Sequence, residues 1–183
     1  MDLHQQNELR TSRMADTLIP SEIIRLGNEI QKLIQKGQKV YNLTIGDFDS
    51  SVFPIPNLLL ENILKAYREG HTNYPPAHGV LPLREAVSGF IRDKLGLEYG
   101  PEDILISGGS RPLIYAVYRT IVDPGEGVIY PVHSWNNNHY CHLSGAKPME
   151  VIVNPDDNCM PSAQSLAPYL EKAVLVSLCS PQN

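Results

Sequence analysis

The sequence predicts an α/β protein built around a largely parallel sheet. From about residue 97 onward, short apolar stretches typical of strands alternate with amphipathic stretches typical of helices, in the order β, α, β, α, β, α, β. Fifteen prolines and 13 glycines separate these segments, which indicates many short connections. Parallel strands that are joined through helices end at the same edge of the sheet, and ligands bind at that edge. The fold class therefore also predicts where a site lies.

Composition excludes several classes of partner. The chain of 183 residues carries a net charge of −5 and no basic run, which argues against a nucleic-acid partner. No apolar run approaches the roughly 20 residues that span a membrane, so no membrane partner is expected. The three cysteines, Cys141, Cys159 and Cys179, are odd in number and dispersed. Reduced thiols and a cytoplasmic location are therefore expected.

The first hundred residues predict an arm, a short strand and three helices. Residues 1–20 are polar and lack periodicity, so we expect an arm that folds only against another surface. Apolar spacing and glycine stop signals predict the helices. The predicted elements are a helix capped by Ser21 and stopped at Gly37, a strand over 40–45 that leads into Gly46, and helices over 58–69 and 83–95.

A strand, a glycine turn and a helix start follow one another in the middle of the chain. Residues 104–107 (Ile-Leu-Ile-Ser) predict a short buried strand, Gly108 and Gly109 break it, and Pro112 suits the first turn of a helix. Such a unit collects free backbone N–H groups, which bind anions and phosphates above all. It is also compatible with an ordinary turn in which Ser110 caps the helix. The stretch alone leaves both interpretations open.

Three more strands and two helices complete the predicted alternation. The strands cover 127–130, 147–153 and 173–178, and the helices cover 134–144 and 162–171. Polar or aromatic clusters lie at the ends of strands, at 107–110, 131–135 and 179–183, and we expect these clusters to converge on one site. The last strand is apolar throughout and no helix follows to cover it. The sequence is therefore expected to be the first part of a longer protein.

A set of short motifs gives the chain a family resemblance over roughly residues 21–183. In order they are Leu43-Thr44-Ile45-Gly46, Tyr74 with Gly79, Leu83-Arg84-Glu85-Ala86, Gly108-Gly109-Ser110, Pro124-Gly125, Pro131 with Trp135, and Ser180-Pro181-Gln182-Asn183. In this order and spacing the chain resembles the N-terminal half of the class I/II aminotransferases, the aspartate aminotransferase-like enzymes of fold type I that use pyridoxal phosphate.

The resemblance implies a fold, a cofactor and a reaction. The implied fold is a three-layer large domain, with a mostly parallel sheet between helices, together with part of a small α+β domain. The implied division is an arm over 1–20, part of the small domain over 21–52 and the first part of the large domain over 53–183. The implied cofactor is pyridoxal 5'-phosphate, and the implied substrates are an amino acid, such as aspartate or another common one, and a 2-oxo acid. A homodimer is also implied.

The resemblance also assigns roles to individual residues. Gly108, Gly109 and Ser110 would hold the cofactor phosphate. Trp135 would stack on the pyridine ring and meet a substrate carboxylate, and Asn183 would donate a hydrogen bond to the cofactor's phenolic oxygen and lie beside the substrate. Tyr74 would reach the partner subunit's cofactor phosphate, and Gly46 would lie against the substrate carboxylate. The Schiff-base lysine, the aspartate that pairs with the pyridine nitrogen and the carboxylate-binding arginine are expected beyond Asn183. No lysine of this sequence fits that motif, so no catalytic residue is assigned.

Two departures from the family pattern concern the site. Many members have Pro-Asp-Phe after the early glycine, whereas this chain has Asp47-Phe48-Asp49 without the proline. A differently shaped strap beside the substrate is therefore expected. Arg111 occupies a position at which the family varies. Its side chain is compatible with a contact to the phosphate or with exposure to solvent.

Three other functions are compatible with the sequence. The same fold and cofactor can serve a lyase, a decarboxylase or a regulatory domain. The glycine loop alone can serve a non-catalytic domain that binds phosphate-bearing ligands. His133, His139, Cys141 and His142 can be interpreted as a transition-metal site or as scattered surface histidines, but their spacing matches no zinc pattern. We therefore predict no metal.

Overall fold

The computed structural model describes residues 10–44 and 46–182 and has an α/β architecture. Within this part of the chain there are seven α-helices and three strands. In chain order they are α1 (Arg13–Asp16), α2 (Glu22–Gln35), α3 (Asn57–Arg68), α4 (Leu81–Leu95), α5 (Ser110–Ile121), β1 (Gly127–Val132), α6 (Asn137–Ser144), β2 (Lys147–Ile152), α7 (Ala163–Leu170) and β3 (Ala173–Val176). No described helix is both long enough and apolar enough to cross a bilayer.

The three strands form one parallel sheet in the order β2-β1-β3. Ile129 in β1 lies opposite Met149 in β2 and opposite Val176 in β3. The central strand β1 is buried along nearly its whole length, as expected for a strand that is covered on both faces. The predicted α/β class with a parallel sheet is confirmed.

The core lies between β1 and helices α5 and α6. Val128 and Tyr130 point to the same face of β1, since side chains alternate along a strand. There they pack with residues of α5 and α6, and the rings of Tyr118 and Tyr140 lie 5.4 Å apart and tilted. The buried members of this core are Tyr118, Val122, Val128, Tyr130, Tyr140, Cys141 and Ala146. The core thus joins α5 and α6 to the sheet beneath the carboxyl ends of the strands.

The described residues divide into two compact units. Residues 10–19 and 109–182 form the first, here called the sheet unit, and the described residues of 20–108 form the second, here called the helical unit. Within the sheet unit, α1 of the arm lies near α6, where the His142 ring Nε2 is 2.8 Å from the Met14 carbonyl oxygen. The predicted division at residues 20/21 and 52/53 stays a prediction.

The strand expected over 104–107 is not formed. Ile104 is buried, but Leu105 is about half exposed, and the backbone runs beside the loop at His78 and Gly79. There the Ile106 N–H donates to the His78 carbonyl at 3.1 Å. A strand needs a ladder of such bonds with another extended segment, and the neighbour here is a loop. The close approach requires Gly79, because a Cβ at this position would lie 2.6 Å from the Ile106 Cβ.

The strand expected over 40–45 is also wrong for 40–44, and Ile45 lies outside the described residues. The Asn42 side-chain oxygen accepts hydrogen bonds from the Thr44 N–H at 3.1 Å and from the Thr44 hydroxyl at 2.6 Å. Such local side-chain bonds compete with strand pairing. Tyr41 and Leu43 are largely exposed, so no core fixes this segment.

Two element boundaries differ from the prediction. The helix expected from residue 134 begins only at Asn137, because Asn136 has a left-handed backbone with φ of 67°. The last strand ends at Val176 and is half-buried, with Val174 and Val176 exposed. It was expected to be fully buried. Within the described sheet it lies at an edge, and this position leaves one of its faces open.

Candidate functional site

The candidate site is a cavity of about 410 Å³ at the carboxyl ends of β1 and β3 and the N-terminus of α5. This volume lies within the range of roughly 300–1,000 Å³ that is typical of small-molecule sites. Three separate stretches of the sheet unit contribute its walls. They are Ser110, Arg111 and Ile114 of α5, Ser134, Trp135, Asn136, Asn137 and Tyr140 after β1, and Ser177, Leu178 and Cys179 after β3. Each of the three predicted clusters thus contributes part of the wall: Ser110 from the first, Ser134 and Trp135 from the second, and Cys179 from the third.

A glycine immediately precedes the first helical residue of α5. Gly109 is the N-cap residue, with φ of 134° and ψ of 161°, and no side chain among the described residues caps the helix. Only glycine adopts this backbone conformation readily. The Ser110 cap, which was one of the two interpretations left open, is not formed, because Ser110 is the first helical residue. The first N–H groups of a helix lack intrahelical partners and carry partial positive charge.

Trp135 and Arg111 give the cavity an aromatic wall and a cationic wall. Trp135 is the only tryptophan of the chain and is partly buried in the loop between β1 and α6. Arg111 follows Ser110 in the first turn of α5, is exposed and lines the same cavity. An indole ring can stack on a flat ligand and donate its N–H, and a guanidinium can pair with an anion. The site therefore suits a ligand that is both aromatic and anionic.

Asn137 lies beneath the cavity and is the site residue that the sequence analysis missed. Its side chain is buried, and its Oδ1 accepts hydrogen bonds from the Tyr118 hydroxyl and the Ser177 hydroxyl, both at 2.8 Å. Its Nδ2 donates to the Ser134 hydroxyl. A run of three asparagines, 136–138, is typical of an exposed segment, so the sequence gives no sign that Asn137 is buried. The only signal was its place two residues after Trp135, in the segment that follows a buried strand.

The stretch after β3 forms the third wall. Ser177 and Cys179 line the cavity, and the Ser177 N–H donates to the Ile129 carbonyl at 2.8 Å. The Gln182 side-chain amide donates to the His133 carbonyl at 2.6 Å, which ties this stretch to the loop that carries Trp135. Asn183, for which a cofactor contact is predicted, lies outside the described residues.

Three other predicted site residues lie in the helical unit. Gly46 is exposed, and a Cβ there would meet nothing within 4 Å. Tyr74 is fully exposed, in the loop between α3 and α4. Gly108 is the last residue of the helical unit and directly precedes Gly109. Their predicted roles stay predictions.

The histidine and cysteine side chains near α6 form no metal centre within the described residues, where no group of three or more potential ligands meets. Cys141 points into the core, and His142 faces the Met14 carbonyl instead. His139 and His142 do line a smaller cavity of about 290 Å³ together with Leu18 and Ile19 of the arm. The described geometry thus offers no support for the alternative interpretation as a transition-metal site.

Burial perturbs the ionisable groups of the core beneath the site. Burial raises the pKa of Tyr118 from 10.0 to about 12. Burial, with a smaller effect of the nearby Glu150, raises the pKa of Cys141 from 9.0 to about 11. Both groups are neutral when protonated, so the folded protein holds these protons to a higher pH than the unfolded chain does.

This difference predicts a loss of stability at alkaline pH. The contribution is complete below pH 9 to 10 and is lost as the pH rises through about 11 and 12, because the unfolded chain releases both protons first. We expect the free energy of unfolding, measured by urea denaturation, to fall by up to about 1.4 kcal/mol per pH unit for each group. Tyr118→Phe should make the slope shallower. A free energy of unfolding that stays constant up to pH 11 would contradict the assignment.

The fold and the cavity together define the class of protein. It is a parallel α/β protein with a cavity at the carboxyl ends of its strands, walled by a helix N-terminus and an aromatic ring. Comparison with known families identifies the family within this class. The model of the family "aminotransferase class I and II" matches residues 38–183. The chain therefore belongs to the class I and II aminotransferase family, and the predicted resemblance is confirmed.

Individual relatives agree with this assignment. The chain is 30% identical to a bifunctional aspartate aminotransferase and glutamate/aspartate-prephenate aminotransferase of Petunia hybrida, covering 96% of this chain and 36% of that protein. It is 28% identical to a probable aspartate/prephenate aminotransferase of Thermus aquaticus, covering 94% and 45%. A structure of Thermus thermophilus aspartate aminotransferase with maleate superposes with a TM-score of 0.86 at 25% identity, over 95% of this chain and 45% of that one. The chain thus spans less than half the length of these relatives.

Proposed function

We propose that the cavity at the α5 N-terminus binds pyridoxal 5'-phosphate and that the protein is an aminotransferase. It would move an amino group between an amino acid, such as aspartate or another common one, and a 2-oxo acid. One observation carries the proposal: the N-terminus of α5, whose N-cap residue is Gly109, and the chain's only tryptophan lie at the same cavity. Membership of the class I and II aminotransferases supports it, and the names of the relatives favour aspartate as a substrate.

The described residues fit a phosphate-bearing aromatic cofactor. A Cβ on Gly109 would meet no atom within 4 Å, so the space beside the backbone is open to an anion. The free N–H groups at the start of α5 favour negative charge there, and the Ser110 hydroxyl can donate a further hydrogen bond. The flat face of Trp135 suits an aromatic ring in the same cavity.

Each residue of the proposed site has a binding or orienting role. Ser110 and the amides of Gly108 and Gly109 hold the phosphate, and Arg111 adds a positive charge at the cavity wall. Trp135 stacks on the ring, and its indole N–H donates to a substrate carboxylate. Asn183 donates to the phenolic oxygen of the cofactor and lies beside the substrate, and the backbone at Gly46 meets the substrate carboxylate. The bound cofactor supplies the electron sink for amino-group transfer. We assign no catalytic base to a residue of this chain.

We also propose that two copies of the protein form a dimer and that Tyr74 binds the cofactor phosphate of the partner subunit. The complete exposure of this tyrosine supports a role outside its own unit. Tyr74→Phe is then expected to weaken pyridoxal phosphate binding about tenfold, because one hydrogen bond to a charged group is lost. Cofactor retention during dialysis would measure the effect.

Tyr67→Phe provides the control for this variant, because Tyr67 is another largely exposed tyrosine of the helical unit with no proposed role. Equal retention by the Tyr74→Phe and Tyr67→Phe proteins would remove Tyr74 from the site.

We further propose a cytoplasmic location, which the three free thiols support.

The test of the proposed function is reduction with borohydride in the presence of pyridoxal phosphate, followed by measurement of the intact mass. The protein isolated from its own cells should gain one stable adduct and should transaminate aspartate with a 2-oxo acid. Turnover of amino acids without exchange of the amino group would favour a lyase of the same fold. Pyridoxal phosphate that binds reversibly, with neither adduct nor turnover, would favour a non-catalytic phosphate binder and would overturn the aminotransferase proposal.

A further inference from the structure

The hydrogen bonds of Asn137 connect three chain segments that all contribute to the cavity wall. Tyr118 belongs to α5, Ser177 follows β3, and Ser134 precedes Trp135 in the loop after β1. The hydroxyls of the first two donate to Oδ1 of Asn137, each at 2.8 Å, and its Nδ2 donates to Ser134. One amide thus joins the helix that carries the proposed phosphate site to the loop that carries the aromatic wall.

The pattern of donors and acceptors is specific for an amide. Two donors use both lone pairs of the carbonyl oxygen, so the NH₂ end has to point towards Ser134. A leucine of similar volume would leave the buried Tyr118 hydroxyl and the Ser177 hydroxyl without this acceptor, and an aspartate would offer no N–H to Ser134. Because Asn137 is itself only 7% exposed, water cannot easily replace the missing bonds.

The amide acts on both sides of the tryptophan. Ser134 directly precedes Trp135, and Asn137 follows it by two residues at the start of α6. The two bonded residues therefore bracket the indole, and Ser134, Trp135 and Asn137 all line the cavity. Fixing both neighbours limits the positions that the ring can take.

We propose that Asn137 is a positioning residue that holds the Trp135 indole at the cavity wall. The inference rests on the proposed function in one respect: the ligand that stacks on Trp135 is taken to be pyridoxal phosphate. Asn137 acts through Trp135 and through Ser134, and it needs no contact with the ligand.

The sole tryptophan allows a direct test by fluorescence. Asn137→Ala removes the whole connection. Ser134→Ala removes only the bond to the Trp135 loop and leaves the hydroxyls of Tyr118 and Ser177 paired with the amide. Acrylamide quenching of Trp135 emission, measured without added ligand, reports how accessible the indole is to solvent, which rises when the ring is no longer held against the cavity wall. The same emission, followed during titration with pyridoxal phosphate, gives the Kd.

Two controls separate positioning from stability. Tyr118→Phe removes a bond to the same amide from the α5 side, so it should lower the free energy of unfolding but leave the quenching of Trp135 unchanged. Asn138→Ala alters the exposed neighbour in α6 and should change neither quantity. We expect Asn137→Ala and Ser134→Ala each to raise the quenching constant about twofold. They should weaken pyridoxal phosphate binding about tenfold and about threefold, respectively.

Each outcome has a distinct meaning. Unchanged quenching in Ser134→Ala, or equal changes in Tyr118→Phe and Asn137→Ala, would overturn the positioning role. If Asn137→Ala does not fold, Ser134→Ala decides the question. A native chain whose emission does not respond to pyridoxal phosphate would contradict the proposed function, whereas a rise in quenching in the Ser134→Ala protein would still support the positioning role.

Discussion

Ile129→Ala is expected to lower the free energy of unfolding of the sheet unit by about 2–5 kcal/mol. Ile129 lies in the central strand, is 0% exposed and has strand neighbours on both sides, Met149 and Val176. Its side chain points to the face opposite Val128 and Tyr130, so truncation leaves a cavity that neither neighbouring strand can easily fill. Urea denaturation followed by circular dichroism would measure the loss.

Ile152→Ala is the matched control for this variant. Ile152 is the same residue type in the same sheet, but it lies at the end of β2 and is 87% exposed. We expect a change within about 0.5 kcal/mol, as for most surface substitutions. Similar losses for both isoleucines would contradict the central position of β1.

Gly109→Ala is expected to weaken pyridoxal phosphate binding about ten- to hundredfold. The backbone of Gly109 has φ of 134° and ψ of 161°, and a non-glycine residue pays roughly 1–3 kcal/mol to adopt this region. The first turn of α5 would shift to relieve the strain and would carry the free N–H groups of Ser110 and Arg111 with it. The quenching of Trp135 emission by the cofactor would give the Kd.

Gly125→Ala distinguishes strain at the site from strain elsewhere. Gly125 also belongs to the sheet unit and also has a positive φ, 92°, with no atom within 4 Å of an added Cβ. It lies before β1, at the opposite end of the strand from the cavity. We expect it to lower stability by about 1 kcal/mol without changing the Kd. A Kd that is equally affected in both variants would mean that Gly109 has no special part in binding.

The elements that the sequence predicted well are those fixed by local chemistry. The helix predicted from residue 162 has Ser162 as its N-cap, whose hydroxyl accepts from the Ser165 N–H at 3.1 Å, and the helix predicted over 83–95 ends at Gly96, which has φ of 67°. Both signals act within one helical turn, so a single sequence is enough to recognise them. The alternation from residue 97 onward identified the parallel sheet for a similar reason, because each strand needs a covering helix.

The failures depend on partners that are distant in sequence or on competing local bonds. Residues 104–107 have the composition of a strand, but a ladder requires an extended neighbour and their neighbour is the loop at Gly79. At the α5 N-terminus, where a Ser110 cap was one of two open interpretations, Gly109 takes the N-cap position instead.

The sequence predicted several residues that line the candidate site but not the buried hydrogen bonds of Asn137 that connect them. The ends of predicted strands indicated Ser110, Trp135 and the stretch at Cys179, and all three line one cavity, although the strand predicted before Ser110 is not formed. Asn137 could not be identified, because its three partners lie 3, 19 and 40 residues away along the chain. Nothing in a run of asparagines reveals which one is buried.

The open position of β3 has a practical consequence for work with this chain in solution. Among the described strands β3 lies at an edge, with Val174 and Val176 exposed on one face. Edges of this kind recruit strands from other molecules and promote aggregation. Recombinant preparations of these 183 residues should therefore lose material at high concentration. The substitution Val174→Lys would place a charge on that edge and should increase the yield of monodisperse protein.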